Sequence, residues 1–174
     1  MNTKIKKITL SSMFIALGII LPFVTGQIPE IGSMLLPMHI PVILGGLIIG
    51  SKYGAIVGII TPLLRSWIFT MPPILTAISM AFELCTYGFV SGYVYSIITN
   101  KTTKAIYLSL LISMISGRIV WGIVRTIMVG LTNTPFSFEI FISGALLSAI
   151  PGIILQLVLI PIIVITLRKN NYLK

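Results

Sequence analysis

Aspartate is absent from the 174 residues, glutamate occurs three times, and histidine and cysteine occur once each. Without aspartate the chain lacks the paired-carboxylate metal sites of membrane phosphotransferases. No HExxH pair is present, and His39 has no serine nucleophile beside it in the sequence. No GxxxxGK[ST] phosphate loop occurs, so the chain does not hydrolyse ATP by itself in the usual way. Cys85 falls inside an apolar stretch, which excludes an internal disulfide and a CxxC metal pair. Neither an enzyme nor a bound metal or organic cofactor is expected.

Charge is scarce as well. Charged residues make up 9% of the chain against about 25% in soluble domains, while 56% of residues are hydrophobic and the mean hydropathy is +1.10. The charge that remains is placed unevenly. Lys4, Lys6, Lys7, Lys52, Lys101, Lys104, Arg168, Lys169 and Lys174 flank or connect apolar runs, whereas connections at about 26–34, 71–73 and 132–139 contain no Lys or Arg. Positive short loops stay cytoplasmic. The chain therefore reads as an all-α membrane protein of six transmembrane helices with both termini cytoplasmic, in the plasma membrane. The spans are expected at about 8–25, 35–50, 55–70, 74–98, 105–131 and 140–167, forming one domain over 1–174. The first run is longer than a signal-peptide core and no small-x-small site follows it, so it reads as an uncleaved span. The net charge of +9 invites a nucleic-acid reading. Dispersal of the basic residues among loops favours anchoring against the anionic lipid of the bilayer instead, and no nucleic-acid partner is expected.

Glycines recur four apart at Gly46, Gly50, Gly54 and Gly58, and again at Gly88 and Gly92. That spacing lets helices approach closely and reads as packing. Pro37 and Pro41 lie near the outer end of the second span, and Met71-Pro-Pro73 breaks the chain between the third and fourth.

Five ionisable residues fall inside the spans: His39, Arg65, Glu83, Arg118 and Arg125. Each costs at least about 2.5–3.5 kcal/mol on insertion scales, so each calls for a partner or a purpose. At about 1.5 Å per residue, His39, Arg65 and Arg125 come within roughly 10 Å of the outer surface, while Glu83 and Arg118 share a depth of roughly 15–20 Å. Two readings are open for Glu83 and Arg118: a structural ion pair, or ligand contacts. Arg65 and Arg125 either snorkel to the headgroups or face a ligand, and His39 alone is weak evidence. Arg118, Trp121, Gly122 and Arg125 share one helical face. Trp67 and Trp121 lie at similar heights and are candidates to cover an apolar part of a ligand. Three arginines against one glutamate leave an excess of positive charge toward the outer half, which suits a small organic anion. Arginine in particular can grip a carboxylate with two parallel hydrogen bonds.

The segments Leu36-Pro-Met-His-Ile-Pro-Val-Ile-Leu-Gly-Gly46, Gly50-Ser-Lys-Tyr-Gly54-Ala-Ile-Val-Gly58, Thr61-Pro-Leu-Leu-Arg65, Met71-Pro-Pro and Glu83-Leu-Cys-Thr-Tyr-Gly88 resemble the substrate-binding S components of energy-coupling factor (ECF) vitamin transporters. The resemblance covers most of the chain. It implies a six-helix bundle that binds one vitamin in its extracellular half. It also implies association with a membrane coupling subunit and two ATPases, and toppling in the membrane to release substrate inside. The family's first helix meets the coupling subunit through an Ala-x-x-x-Ala surface, and the matching positions here are Ser12 and Ala16. Location within the family's outer half makes Arg65, Glu83, Arg118, Trp121 and Arg125 substrate-binding candidates, with His39 and Trp67 beside them. The His-Ile-Pro form of the second span looks most like pantothenate-assigned and uncharacterised members. The expected function is therefore capture of a small anionic vitamin, pantothenate first, with pyridoxine or another B vitamin as rival. A solitary ion-coupled carrier in which Glu83 titrates is the reading from outside the family.

Overall fold

The structure is a computed structural model, and it describes residues 3–24, 28–132 and 149–170. These form seven helices: α1 (Thr3–Val24), α2 (Pro29–Leu35), α3 (His39–Ile49), α4 (Ser51–Phe69), α5 (Ile74–Ile97), α6 (Thr103–Thr132) and α7 (Ile150–Lys169). No strand occurs among the described residues. Four of the helices, α1, α5, α6 and α7, are long and apolar enough to cross a membrane.

The short helix α3 is the centre of the bundle. Ten of its eleven residues are buried, and α1, α4, α5 and α7 pack around it. A helix apolar on every side is stable only when enclosed on every side. The span read from sequence over 35–50 starts later, at His39, and the connection expected before it holds the short helix α2, which ends at Leu35 where Leu36 turns into the left-handed region at φ 50°. Pro37 lacks the N–H that a continuous helix would need there. The span expected over 140–167 is described from Ala149 onward, where α7 starts with Pro151 in its first turn. Its earlier part lies outside the described residues.

Glycine spacing fixes how α3, α4 and α5 meet. A Cβ on Gly54 would stand 2.6 Å from both the Gly46 Cα and the Gly88 carbonyl oxygen. A Cβ on Gly58 would run into the Leu84 carbonyl, the residue after Glu83. The three backbones are in contact through these glycines, as four-residue small spacing permits. On the other side of α5, a Cβ on Gly117 would fall 2.7 Å from the Tyr87 ring. That close approach draws α6 onto α5 and carries Arg118, the next residue, toward Glu83.

The basic residues gather at one end of the bundle. Lys7 of α1 lies over the Tyr53 ring of α4 at 5.6 Å. Lys101 donates to the Tyr95 and Ser96 carbonyls at the end of α5, and Arg168 and Lys169 occupy the last turn of α7. Cations there complement the unpaired carbonyls and the negative pole of a helix.

Candidate functional site

A cavity of about 570 Å³ opens at the end of the bundle opposite these lysines. Its wall is built from the last turns of α1 and α4, the α2 segment, the starts of α3 and α5, and the middle of α6. Apolar side chains such as Met38, Met71, Met80 and Trp121 cover much of it. The volume is that of an ordinary small-molecule site.

Glu83 lies at the centre of a polar cluster on this cavity. It is 2% exposed, and one oxygen, Oε1, is 3.1 Å from Arg118 Nη1 and 3.5 Å from His39 Nε2. The His39 ring meets the Tyr87 ring edge-on, with centroids 5.1 Å apart. Tyr87 stands one turn along α5 from Glu83, so both reach the same face.

Most buried hydroxyls need nothing from a ligand. Thr61, Ser79, Ser109 and Ser113 each donate to a carbonyl three or four residues back in their own helix. The cluster is different. Six buried side-chain polar atoms lack a hydrogen-bond partner among the described residues, and five of them belong to His39, Glu83 and Arg118: both imidazole nitrogens, Glu83 Oε1, and Arg118 Nε and Nη2. The close approaches to Glu83 are therefore ionic contacts without aligned hydrogen bonds. Buried polar atoms are normally paired, and concentration of the exceptions on one cavity marks a place that a ligand or water completes.

Arg65 forms a second feature of the wall. It is 3% exposed rather than snorkelling outward. Its Nη1 donates to the Ile19 carbonyl of α1, close to where Pro22 interrupts that helix's own hydrogen bonds. The guanidinium is also flanked by the Phe23 and Phe69 rings at 5.0 and 5.5 Å. Such contacts are worth about 2 kcal/mol or more when desolvated, and they fasten the end of α1 to α4 beside the cavity.

Of the seven ligand candidates from sequence, the structure brings His39, Arg65, Glu83, Arg118 and Trp121 to the cavity. Trp67 is 82% exposed and faces outward, away from it. Arg125 is absent from the lining, two turns beyond Arg118 on α6. His39, read as weak evidence on its own, is buried at 1% exposure within the cluster. Sequence reasoning missed Tyr87, although its spacing of four from Glu83 was a usable signal. It also left aside Glu30, the carboxylate of the α2 segment, which lines the cavity.

A family model for the substrate-specific component of ECF transporters matches residues 6–164. The chain belongs to this family. No curated protein and no solved structure gives a match. Substrate-specific components are membrane-embedded binding subunits of transporters rather than enzymes, and they work with an ECF module of a membrane component and ATPases. Ser12 and Ala16 lie away from the cavity, exposed on the outer side of α1. The Ser12 hydroxyl is engaged with the Ile8 carbonyl at 3.2 Å, which leaves a smooth surface at those two positions.

Proposed function

We propose that this chain captures a small anionic vitamin, pantothenate first, from outside the cell and delivers it inward when coupled to an ECF module. The observation that carries this reading is the 570 Å³ cavity lined by His39, Glu83 and Arg118, three charged or polar side chains gathered within ionic contact of one another at its buried end. Six membrane crossings with both termini cytoplasmic complete the proposal. In this arrangement α3, lengthened by α2, and α4 supply the two crossings beyond the four long apolar helices, and the lysine-rich end faces the cytoplasm. The cavity then opens outward.

Charge in the cavity favours a second reading. With Arg125 outside and Glu30 at the wall, Arg65 and Arg118 are balanced by Glu83 and Glu30. A neutral vitamin such as pyridoxine fits that balance. The solitary ion-coupled carrier gains less support, because Glu83 is already engaged by Arg118 at 3.1 Å.

Uptake of radiolabelled pantothenate into cells that lack their own importer tests the proposal. Cells expressing this chain with the coupling subunit and both ATPases are expected to accumulate the label, and cells with inactivated ATPases are not. Equal uptake without active ATPases contradicts ECF coupling, and pyridoxine uptake in place of pantothenate selects the neutral reading.

A further inference from the structure

We propose that Arg65, rather than Arg118, receives the negative charge of the substrate, and that the substrate's carboxylate is the counter-ion this arginine lacks. This rests on the anionic-substrate reading above and deepens it by giving the charge to one residue. Arg65 is 3% exposed. The ion pairs among the described residues, His39 with Glu83 and Arg118 with Glu83, leave it without a carboxylate there. A charge inside a bilayer is costly unless a group of opposite sign meets it. The Phe23 and Phe69 rings and the Ile19 carbonyl offset part of that cost and hold the guanidinium in place. None of the three carries a negative charge.

Arg118 differs in each respect. Glu83 meets its charge at 3.1 Å, its side chain hydrogen-bonds that of Tyr87, and its Nε and Nη2 are sealed within the protein. In Arg65 only Nη1 is committed, to the Ile19 carbonyl, and none of its nitrogens is among the sealed atoms without a partner. Arg65 also belongs to the cavity wall. Its Nε and Nη2 are therefore the donors left for a ligand, and that edge of a guanidinium matches the two oxygens of a carboxylate. Arg65 lies four residues from Phe69 at the end of α4, about 6 Å, whereas Glu83 lies nine residues from Ile74 at the start of α5, about 13 Å. The acid is thus held nearer the mouth than the self-neutralised cluster of His39, Glu83 and Arg118. The substrate class is a short monocarboxylic acid whose remainder is uncharged and rests against Met38, Met80 and Trp121 of the wall.

The test is equilibrium binding of pantothenate, nicotinate and biotin, each beside its own uncharged alcohol or amide, to protein freed of co-purified small molecules. Wild type is expected to prefer at least one acid over its uncharged partner by about 10-fold or more, the scale of a charge-assisted hydrogen bond. Arg65→Gln is expected to lose that preference while binding the uncharged partner nearly as before. Arg65→Lys keeps the charge without the parallel donors and is expected to retain a reduced preference. Arg118→Lys is expected to keep the preference whatever its effect on overall affinity. A preference unchanged in Arg65→Gln, or in Arg65→Lys where the glutamine variant does not fold, overturns the assignment and leaves the anionic-vitamin reading standing. A preference lost in Arg118→Lys but not in Arg65→Gln does the same. Glu139 lies outside the described residues, and an acid affinity that rises in Glu139→Gln would make that glutamate the counter-ion of Arg65 and overturn the assignment. Absence of any acid preference in wild type across all three pairs overturns both the assignment and the anionic reading.

Discussion

Ala16→Trp is expected to abolish ATP-driven uptake while leaving ligand affinity of the isolated protein unchanged. Ala16 and Ser12 lie one turn apart on the exposed side of α1, and small residues at that spacing let a partner helix approach closely. An indole on that surface holds the two helices apart. The cavity does not feel it, because Ala16 is exposed on the outside of α1, whereas α1 lines the cavity at Pro22, six residues further on. Co-purification with the coupling subunit and binding to the isolated chain separate the two effects. Assembly that persists in Ala16→Trp means that the docking surface lies elsewhere. Joint loss of assembly and binding means that the substitution disrupts the fold, and the surface assignment then fails.

The second large effect concerns the buried pair. Arg118→Gln leaves the Glu83 carboxylate, 2% exposed, facing His39 alone at 3.5 Å. Removing one partner of a buried ion pair costs about 3–5 kcal/mol, because the other charge stays out of water without compensation. Thermal unfolding in detergent is expected to shift strongly downward, and expression to fall with it. Glu83→Gln in the same chain removes the stranded charge, so the double variant is expected to be more stable than Arg118→Gln alone. Independent sites add, whereas coupled ones show an interaction term of about 0.5–3 kcal/mol. Strict additivity of the two substitutions would contradict a coupled pair.

Pairing of Glu83 with Arg118 was legible in the sequence because two charges of opposite sign at one depth have few other solutions in a bilayer. Height along a helix was easier to read than direction around it. Trp67 has nearly the height of Arg65, but two residues turn a helix by about 200°, so an inward Arg65 sends Trp67 outward. Arg125 illustrates the opposite failure. Seven residues return it to the face of Arg118, yet displace it by about 10 Å along the axis, past the cavity. The glycine ladder declared close packing, but not that Gly117 and Tyr87 would bring Arg118 within reach of Glu83, since that contact joins residues thirty apart in sequence. The short helix α2 was hidden in a stretch read as a connection, and the start of α3 at His39 by the apolar residues from Leu35 onward. The backbone turn and the prolines beside it, rather than hydropathy, decide where α3 begins.

The most direct test of the central claim is the identity of the small molecule that accompanies the protein through purification in mild detergent, read by mass spectrometry. The account predicts one water-soluble carboxylic acid of vitamin size, close to one per chain. It is expected to be lost from Met80→Trp, in which an indole fills the cavity. Recovery of the same acid from Met80→Trp, or of phospholipid alone from the wild type, would contradict it.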